Sequence, residues 1–278
     1  MIALRALAQR TPLALRAFPT LLAIGFAESL AYRTELLVWM LATTAPLVNL
    51  VLWNAVTARS AVAGWGQPEV SAYFAVVFVV RQVTGAWVVW VMNAELRSGA
   101  FSMRLLRPIH PLWAYAADNL AALPLRGALS LPLAAIVLFA ACGYALTSDP
   151  VLWLCAGAAL FLAWLVTFLS MTLLGVCGFF IEQSTSLVLV YWSAFYALSG
   201  YLFPLDFLGP RLPGLVAALH HLPPYFQLGF PIELTLGRLD RATALGGLLE
   251  SAAWALGLLA LTLAAFRAGL RRWNAYGA

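Results

Sequence analysis

Between Asp149 and Glu182 the chain carries no charged side chain, and Leu, Ala, Val and Phe dominate the interval. A helix needs roughly 20 apolar residues to cross a hydrocarbon core, and this run exceeds that. With no water to receive backbone N–H and C=O groups, a segment crossing lipid must satisfy them internally, as a helix or a closed barrel does. A barrel would show strict period-two alternation in segments of about 10 residues, and that pattern is weak here. Of 278 residues, 63% are hydrophobic and 10% charged, against about 25% charged in soluble domains. The expected fold class is all-α: a polytopic membrane protein with six transmembrane helices, an N-terminal interfacial helix and short re-entrant outer helices.

The six expected spans are Leu36–Val56, Val70–Met92, Ala121–Tyr144, Val151–Cys177, Leu187–Leu205 and Leu245–Ala265. Trp39 and Trp53 fall towards the ends of the first, where indoles favour the interface. Two parts follow: a cytoplasmic or interfacial segment, 1–34, and a transmembrane domain, 35–278. In the first part Arg5, Arg10, Arg16 and Arg33 punctuate apolar residues, and Pro12 and Pro19 are expected to interrupt it. Glu28 and Arg33 come too soon for the clean core of a signal peptide, so an interfacial amphipathic segment is expected. Residues 206–244 differ again. Their apolar runs, Leu212–Leu222 and Tyr225–Leu236, are too short to cross, and Pro210, Pro213, Pro223, Pro224 and Pro231 divide them. Short helices that dip in and return fit this better than a loop in water.

All 16 basic residues are arginine, and the net charge is +5. Six spans put both termini on one side. With the termini inside, Arg5, Arg10, Arg16, Arg33, Arg97, Arg104, Arg107, Arg267, Arg271 and Arg272 are cytoplasmic, and Arg59, Arg211, Arg238 and Arg241 are outside. Ten against four favours that orientation by the positive-inside rule, and membrane topology accounts for the charge without nucleic acid.

Catalysis has little support. There is no HExxH, no CxxC, no Gly-rich phosphate loop and no lysine for a Walker motif. Ser199-Gly200 faintly resembles a serine intramembrane protease, but no histidine follows at depth in a later span. His220-His221 lacks the cysteine or carboxylate cluster of a metal site, and Cys142, Cys155 and Cys177 lie in apolar runs as small hydrophobes. No metal ligand and no cofactor bound by this chain is expected. Arg81, followed by Gln82, sits in mid-span, at a cost of roughly 2.5–3.5 kcal/mol on insertion scales. Two readings stand open: it lines a pathway or subunit interface, or it pairs structurally with Asp118, Glu182 or a neighbouring carbonyl. Arg126 offers the same choice, with snorkelling to the interface favoured.

The longest polar interruption in the first two-thirds of the chain is Asn93–Pro111, NAELRSGAFSMRLLRPIHP. Leu96, Ala100, Met103 and Leu106 recur at helical spacing, with Phe101 and Leu105 beside them. A helix there is short, amphipathic and basic. A basic loop on anionic headgroups explains Arg97, Arg104 and Arg107. It does not explain Glu95, Ser98-Gly99 or a helix closed by Leu106-Arg107-Pro108. A helix docked in a partner's groove explains both: Leu96, Met103 and Leu106 seat, Phe101 and Leu105 flank, and Glu95 with the arginines sets the register.

ELRSGAFSMRLLRPIHP resembles the signature of the membrane subunits of type-2 ABC exporters, in the subgroup of small six-span permeases. The matching residues are Gly99, Phe101, Ser102, Leu105, Leu106, Arg107, Pro108 and Pro111. Ser199-Gly200 with Pro204-Leu205, Leu222-Pro223 leading to Pro231 and Leu236-Gly237-Arg238, and a basic tail with Trp273 and Gly277 follow in order. One departure is Pro224, where the subgroup tends to have Leu-Pro-Phe. The resemblance implies a permease subunit of an ATP-driven exporter in the bacterial plasma membrane. Two such subunits, alike or different, pair around a pathway for an amphipathic or lipid-like substrate. A cytoplasmic ATPase dimer binds ATP and Mg, and the segment 93–111 couples to it. The rival from another class is a membrane scaffold or assembly factor without its own pathway; a third is a membrane-embedded enzyme acting on lipid.

Overall fold

The computed structural model describes residues 2–32, 34, 38, 41, 44–141, 146–181 and 184–273. Among them there is no strand beyond an isolated bridge between Val62 and Trp65. The helices are α1 (Ile2–Ala31), α2 (Ala45–Thr57), α3 (Gln67–Thr84), α4 (Val88–Ser98), α5 (Phe101–Leu105), α6 (Pro111–Ala121), α7 (Leu123–Ala141), α8 (Pro150–Val176), α9 (Thr185–Leu198), α10 (Pro213–Leu219), α11 (Pro223–Gln227), α12 (Gly229–Thr235) and α13 (Arg241–Leu270), with 3-10 turns at Cys177–Phe179 and Leu205–Leu208.

Proline and short polar side chains set these starts. Pro46, Pro68, Pro111, Pro150, Pro213 and Pro223 each sit in a first turn, where the missing N–H has no helical partner to lose. Asp149 and Asp240 cap α8 and α13 by accepting from the backbone N–H of Val151 at 2.9 Å and of Thr243 at 3.0 Å. At α3 the Gly66 N–H donates to Glu69 Oε2 at 3.0 Å.

Among the described residues four helical stretches are long and apolar enough to cross a membrane: Gln67–Ser98, Pro111–Phe139, Pro150–Phe179 and Arg241–Leu270. They correspond to the expected second, third, fourth and sixth spans. The third begins earlier than expected, at Pro111 rather than Ala121, because the polar residues Asp118 and Asn119 lie inside a helix that Pro111 starts. The expected fifth span is a shorter apolar helix, Thr185–Leu198, and the described end of the first is Ala45–Thr57. Most of the remainder of Leu36–Val56, including Trp39, lies outside the described residues, as do Arg33, Cys142, Glu182 and Gly277. The interruption expected at Pro12 and Pro19 is absent: α1 runs unbroken through both.

α8 is the central post. α13, α12, α11, α9, α4 and α3 all pack on it; α3 also packs on α7 and α2, and α1 lies along α6. The most apolar part of Gln67–Ser98 is 67% buried and that of Arg241–Leu270 only 17%, so the second span is interior and the last faces outward. Leu154, Phe161, Phe139, Leu249 and Leu256 are exposed on these flanks, a girdle of large apolar side chains that water would penalise and lipid accepts. α13 can lie close because two of its glycines present no side chain: a methyl at 247 would overlap the ring of Phe230, and one at 269 the ring of Phe179.

The core divides by end. At one end Leu96, Phe101, Tyr115, Val176, Phe179 and Phe266 form one cluster, with Trp273 against it. At the other, Tyr225, Phe226, Phe230 and Leu205 pack on the start of α8, and Trp65, Tyr73, Phe195, Tyr201 and Leu228 pack beside them. The elbow between α4 and α6 therefore shares an end with the tail of α13, and the short helices α10–α12 cap the opposite end. The two runs expected over 206–244 are three helices there.

Candidate functional site

The elbow is built by one glycine and one carboxylate. Gly99 has φ +75°, the left-handed conformation that ends a helix at little cost only for glycine. It stops α4 and turns the chain into α5, where Ser102 Oγ donates to the Gly99 carbonyl at 2.7 Å. Glu95, on the last turn of α4, accepts from Arg104 Nε at 2.7 and 2.8 Å and from the Tyr115 hydroxyl at 2.6 Å. The Arg104 guanidinium lies over the Tyr115 ring, 4.3 Å from its centroid, and 3.8 Å from Asp118. Four side chains thus lock the ends of α4, α5 and α6 into one body. Charge-assisted hydrogen bonds of this length are the stronger kind, and the Glu95 and Arg104 side chains are only 18% and 16% exposed.

The apolar residues of the elbow split. Leu96 and Phe101 are buried within this chain, and Leu105 packs against the same cluster. Met103 and Leu106 are 64% and 78% exposed. Arg97, Ser98, Arg107 and Pro108 are exposed around them. The single amphipathic helix expected over 96–106 is corrected to two pieces, since the turn at Gly99 breaks its phase. Leu96 faces inward and is not available to seat in a partner.

Arg81 is 6% exposed and Gln82 4%. The Arg81 guanidinium lies 4.5 Å from the Trp192 ring centroid and 4.9 Å from that of Phe195. Of its expected carboxylate partners, Asp118 is instead held by the elbow, and Glu182 lies outside the described residues. Arg126 is 3% exposed and donates from Nη1 to the carbonyl of Gly85 at 2.8 Å, a group freed where the second span breaks between Thr84 and Val88. The Ser199 hydroxyl is buried with no hydrogen-bond partner. Among the described residues no three His, Cys, Asp or Glu side chains are grouped to hold a metal. Sequence reasoning missed Tyr115 and offered Asp118 to Arg81 rather than to Arg104; no local signal ties Tyr115 to a carboxylate twenty positions earlier.

It also missed a buried carboxyl at the opposite end. Glu233 on α12 accepts from the Tyr225 hydroxyl at 2.7 Å, and His220 stacks on Tyr225 with centroids 4.4 Å apart. Burial pushes the Glu233 carboxyl up to about 8, against the Tyr225 hydrogen bond, and pushes the His220 imidazole down. A raised acid is neutral in the fold while the unfolded chain ionises. Stability is therefore full below the ordinary glutamate range, falls as pH rises towards 8, and levels off above it. Glu233→Gln should flatten that slope in thermal unfolding. A tenfold change in proton affinity amounts to about 1.4 kcal/mol, so the variant gains on the parent at pH 8 and not at pH 5.

Residues 43–277 match the family model described as ABC-2 family transporter protein. No curated protein and no solved structure matches the chain.

Proposed function

Since this chain belongs to the ABC-2 family of transporter proteins, we propose that it is the permease subunit of an ATP-driven exporter that moves an amphipathic or lipid-like substrate out of a bacterial cell. The family implies a membrane component that works with an ABC ATPase. The finer reading adds a cytoplasmic ATPase dimer holding ATP and Mg, a second permease subunit, alike or different, and six spans with both termini cytoplasmic. α2 and α9 complete the six with their flanking residues, α1 lies at the interface, and α10–α12 are the re-entrant outer helices.

The observation that carries this reading is the exposure of Met103 and Leu106 on a segment otherwise anchored by buried contacts. Two large apolar tips ringed by Arg97 and Arg107 suit a groove with acidic edges on a partner. When the ATPases close, force enters at these tips. The Glu95–Arg104–Tyr115 clamp passes it to α4 and α6, hence to the second and third spans, and Phe101 passes it to the ends of α8 and α13. Arg81, stacked on the Trp192 and Phe195 rings of α9, and the buried Gln82 beside it would carry the change at mid-span, and Arg126 holds the break at Gly85.

Copurification tests this. Solubilised in mild detergent, the chain should bring down a soluble protein with a Walker motif. Met103→Glu with Leu106→Glu should cut the recovery by about tenfold, as expected for losing apolar anchors of an interface, while insertion is unchanged. Recovery of the same partner by the double variant, or of no ATPase by the parent, contradicts the reading.

A further inference from the structure

Glu233 is 7% exposed on α12, within the cap formed by α10–α12. Among the described residues no arginine lies within 4.0 Å of its carboxyl oxygens; Arg238 is turned instead onto Asp206 at 3.9 Å and over the Trp65 ring. Oε2 accepts from the Tyr225 hydroxyl. Oε1 faces His220 Nε2 at 4.0 Å, and that nitrogen is buried with no hydrogen-bond partner. An ionised carboxylate there would be a buried charge with a single hydrogen bond, an expensive arrangement. A protonated carboxyl removes the charge and gives Oε1 a donor aimed at the acceptor that lacks one. The other groups facing this pair are occupied. Asp206 accepts from Trp65 Nε1 at 3.3 Å, Tyr73 of α3 donates to the Gly200 carbonyl at 2.7 Å, and His221 is bonded to Glu250 of α13 at 3.0 Å. Asp206 and Arg238 act on the Glu233 proton in opposite directions. α8, against which the cap packs, carries no charge and one thiol, Cys155.

We propose that one proton, held by Glu233 and shared with His220 Nε2, latches α10–α12 over the end opposite the elbow, and that its loss lets this cap open. The three helices have seven, five and seven residues, and helices this short take their stability from packing. Tyr225 is at once the donor to Glu233, the ring on which His220 stacks and a member of the apolar cluster on α8, so the latch joins all three. A carboxylate at 233 would stand charged in that cluster beside Asp206. Burial holds the Glu233 proton up to about pH 8, whereas an opened cap returns the carboxyl to its ordinary range. Opening therefore rises with pH, by up to about tenfold per unit, and levels off above that value. Burial pushes the His220 imidazole down, so below its ordinary range it offsets the glutamate slope, and between pH 7 and pH 8 Glu233 acts alone. Placing the latch on the exit side of the pathway rests on the exporter reading; the latch itself does not.

The test uses the purified full chain in detergent, without any ATPase, with Cys142, Cys155 and Cys177 replaced by alanine. Leu219→Cys places a thiol under the cap, at a position 4% exposed, and Leu215→Cys places one on the same helix at a position 46% exposed. The ratio of their reaction rates with an uncharged maleimide cancels the thiolate fraction common to both and reports opening. That ratio should rise about fivefold from pH 7 to pH 8 and by no more than about twofold from pH 8 to pH 9. Glu233→Gln, which keeps an acceptor for Tyr225 and a donor for His220 but cannot ionise, should hold the ratio flat. His220→Phe keeps the stack on Tyr225 and removes the proton's acceptor, so its ratio should level off at lower pH. A flat ratio in the parent, or the same rise in Glu233→Gln, overturns the latch, and an unchanged profile in His220→Phe overturns the sharing of the proton. A second arm repeats the labelling of Leu219→Cys in intact cells with a membrane-impermeant maleimide. A pH-dependent ratio in detergent without labelling from outside leaves the latch standing and overturns its place on the exit side.

Discussion

Reversing either Glu95 or Arg104 alone should abolish partner-stimulated ATP hydrolysis, and exchanging them, Glu95→Arg with Arg104→Glu, should restore a large part of it. Glu95 collects both Arg104 contacts and the Tyr115 hydroxyl. A single reversal sets two like charges against each other and disturbs the acceptor that Tyr115 relies on. Hydrogen bonds to charged groups contribute about 1.5–3 kcal/mol each. Because a sixth of each side chain is still exposed, the lower figure applies. A loss near 2 kcal/mol of elbow rigidity is then enough to uncouple the motor, at about 1.4 kcal/mol per tenfold. The exchange restores opposite charges at the same spacing. A double-mutant cycle on stimulated hydrolysis should give a coupling of about 1–2 kcal/mol. Additive losses would mean that the pair is incidental. Arg107 is not the partner of Glu95, so exchange with Arg107 should rescue nothing.

The second large effect is Phe101→Ala. The ring is wholly buried, with the centroids of Phe179, Phe266 and Trp273 at 5.5, 6.1 and 5.5 Å. Truncating a buried phenylalanine costs about 3–5 kcal/mol. The cost falls on a five-residue helix that has little stability of its own, since helices this short depend on tertiary packing. The expected result is a chain that inserts and keeps its spans but has a lowered unfolding temperature and no stimulated hydrolysis. Phe101→Leu should retain more of both. Full coupling in the alanine variant would show that α5 needs no anchor in the core.

The spans were legible where apolar runs are long and unbroken: Val151–Cys177 became Pro150–Phe179, and Leu245–Ala265 became part of Arg241–Leu270. Helix ends were less so, because caps at Asp149 and Asp240 and the cap at His110 ahead of Pro111 extend them beyond the apolar stretch. The elbow was legible as a place but not as an arrangement. Spacing alone put Leu96, Met103 and Leu106 on one face. The left-handed turn at Gly99 rotates the second half away from the first, so Leu96 goes in and Met103 and Leu106 stay out. The clamp on Glu95 and the cluster around Glu233 depend on contacts between helices, which periodicity does not encode. Proline misled at α1, where Pro12 and Pro19 sit inside an unbroken helix.

The central claim is that the elbow meets a motor in the cytoplasm. With Cys142, Cys155 and Cys177 replaced by alanine, a cysteine at Met103 should react with a membrane-impermeant maleimide in inside-out vesicles and not in intact cells. A bifunctional reagent at that position should crosslink to the Walker-containing partner. Labelling from outside intact cells would place the elbow on the wrong side of the membrane and contradict the account.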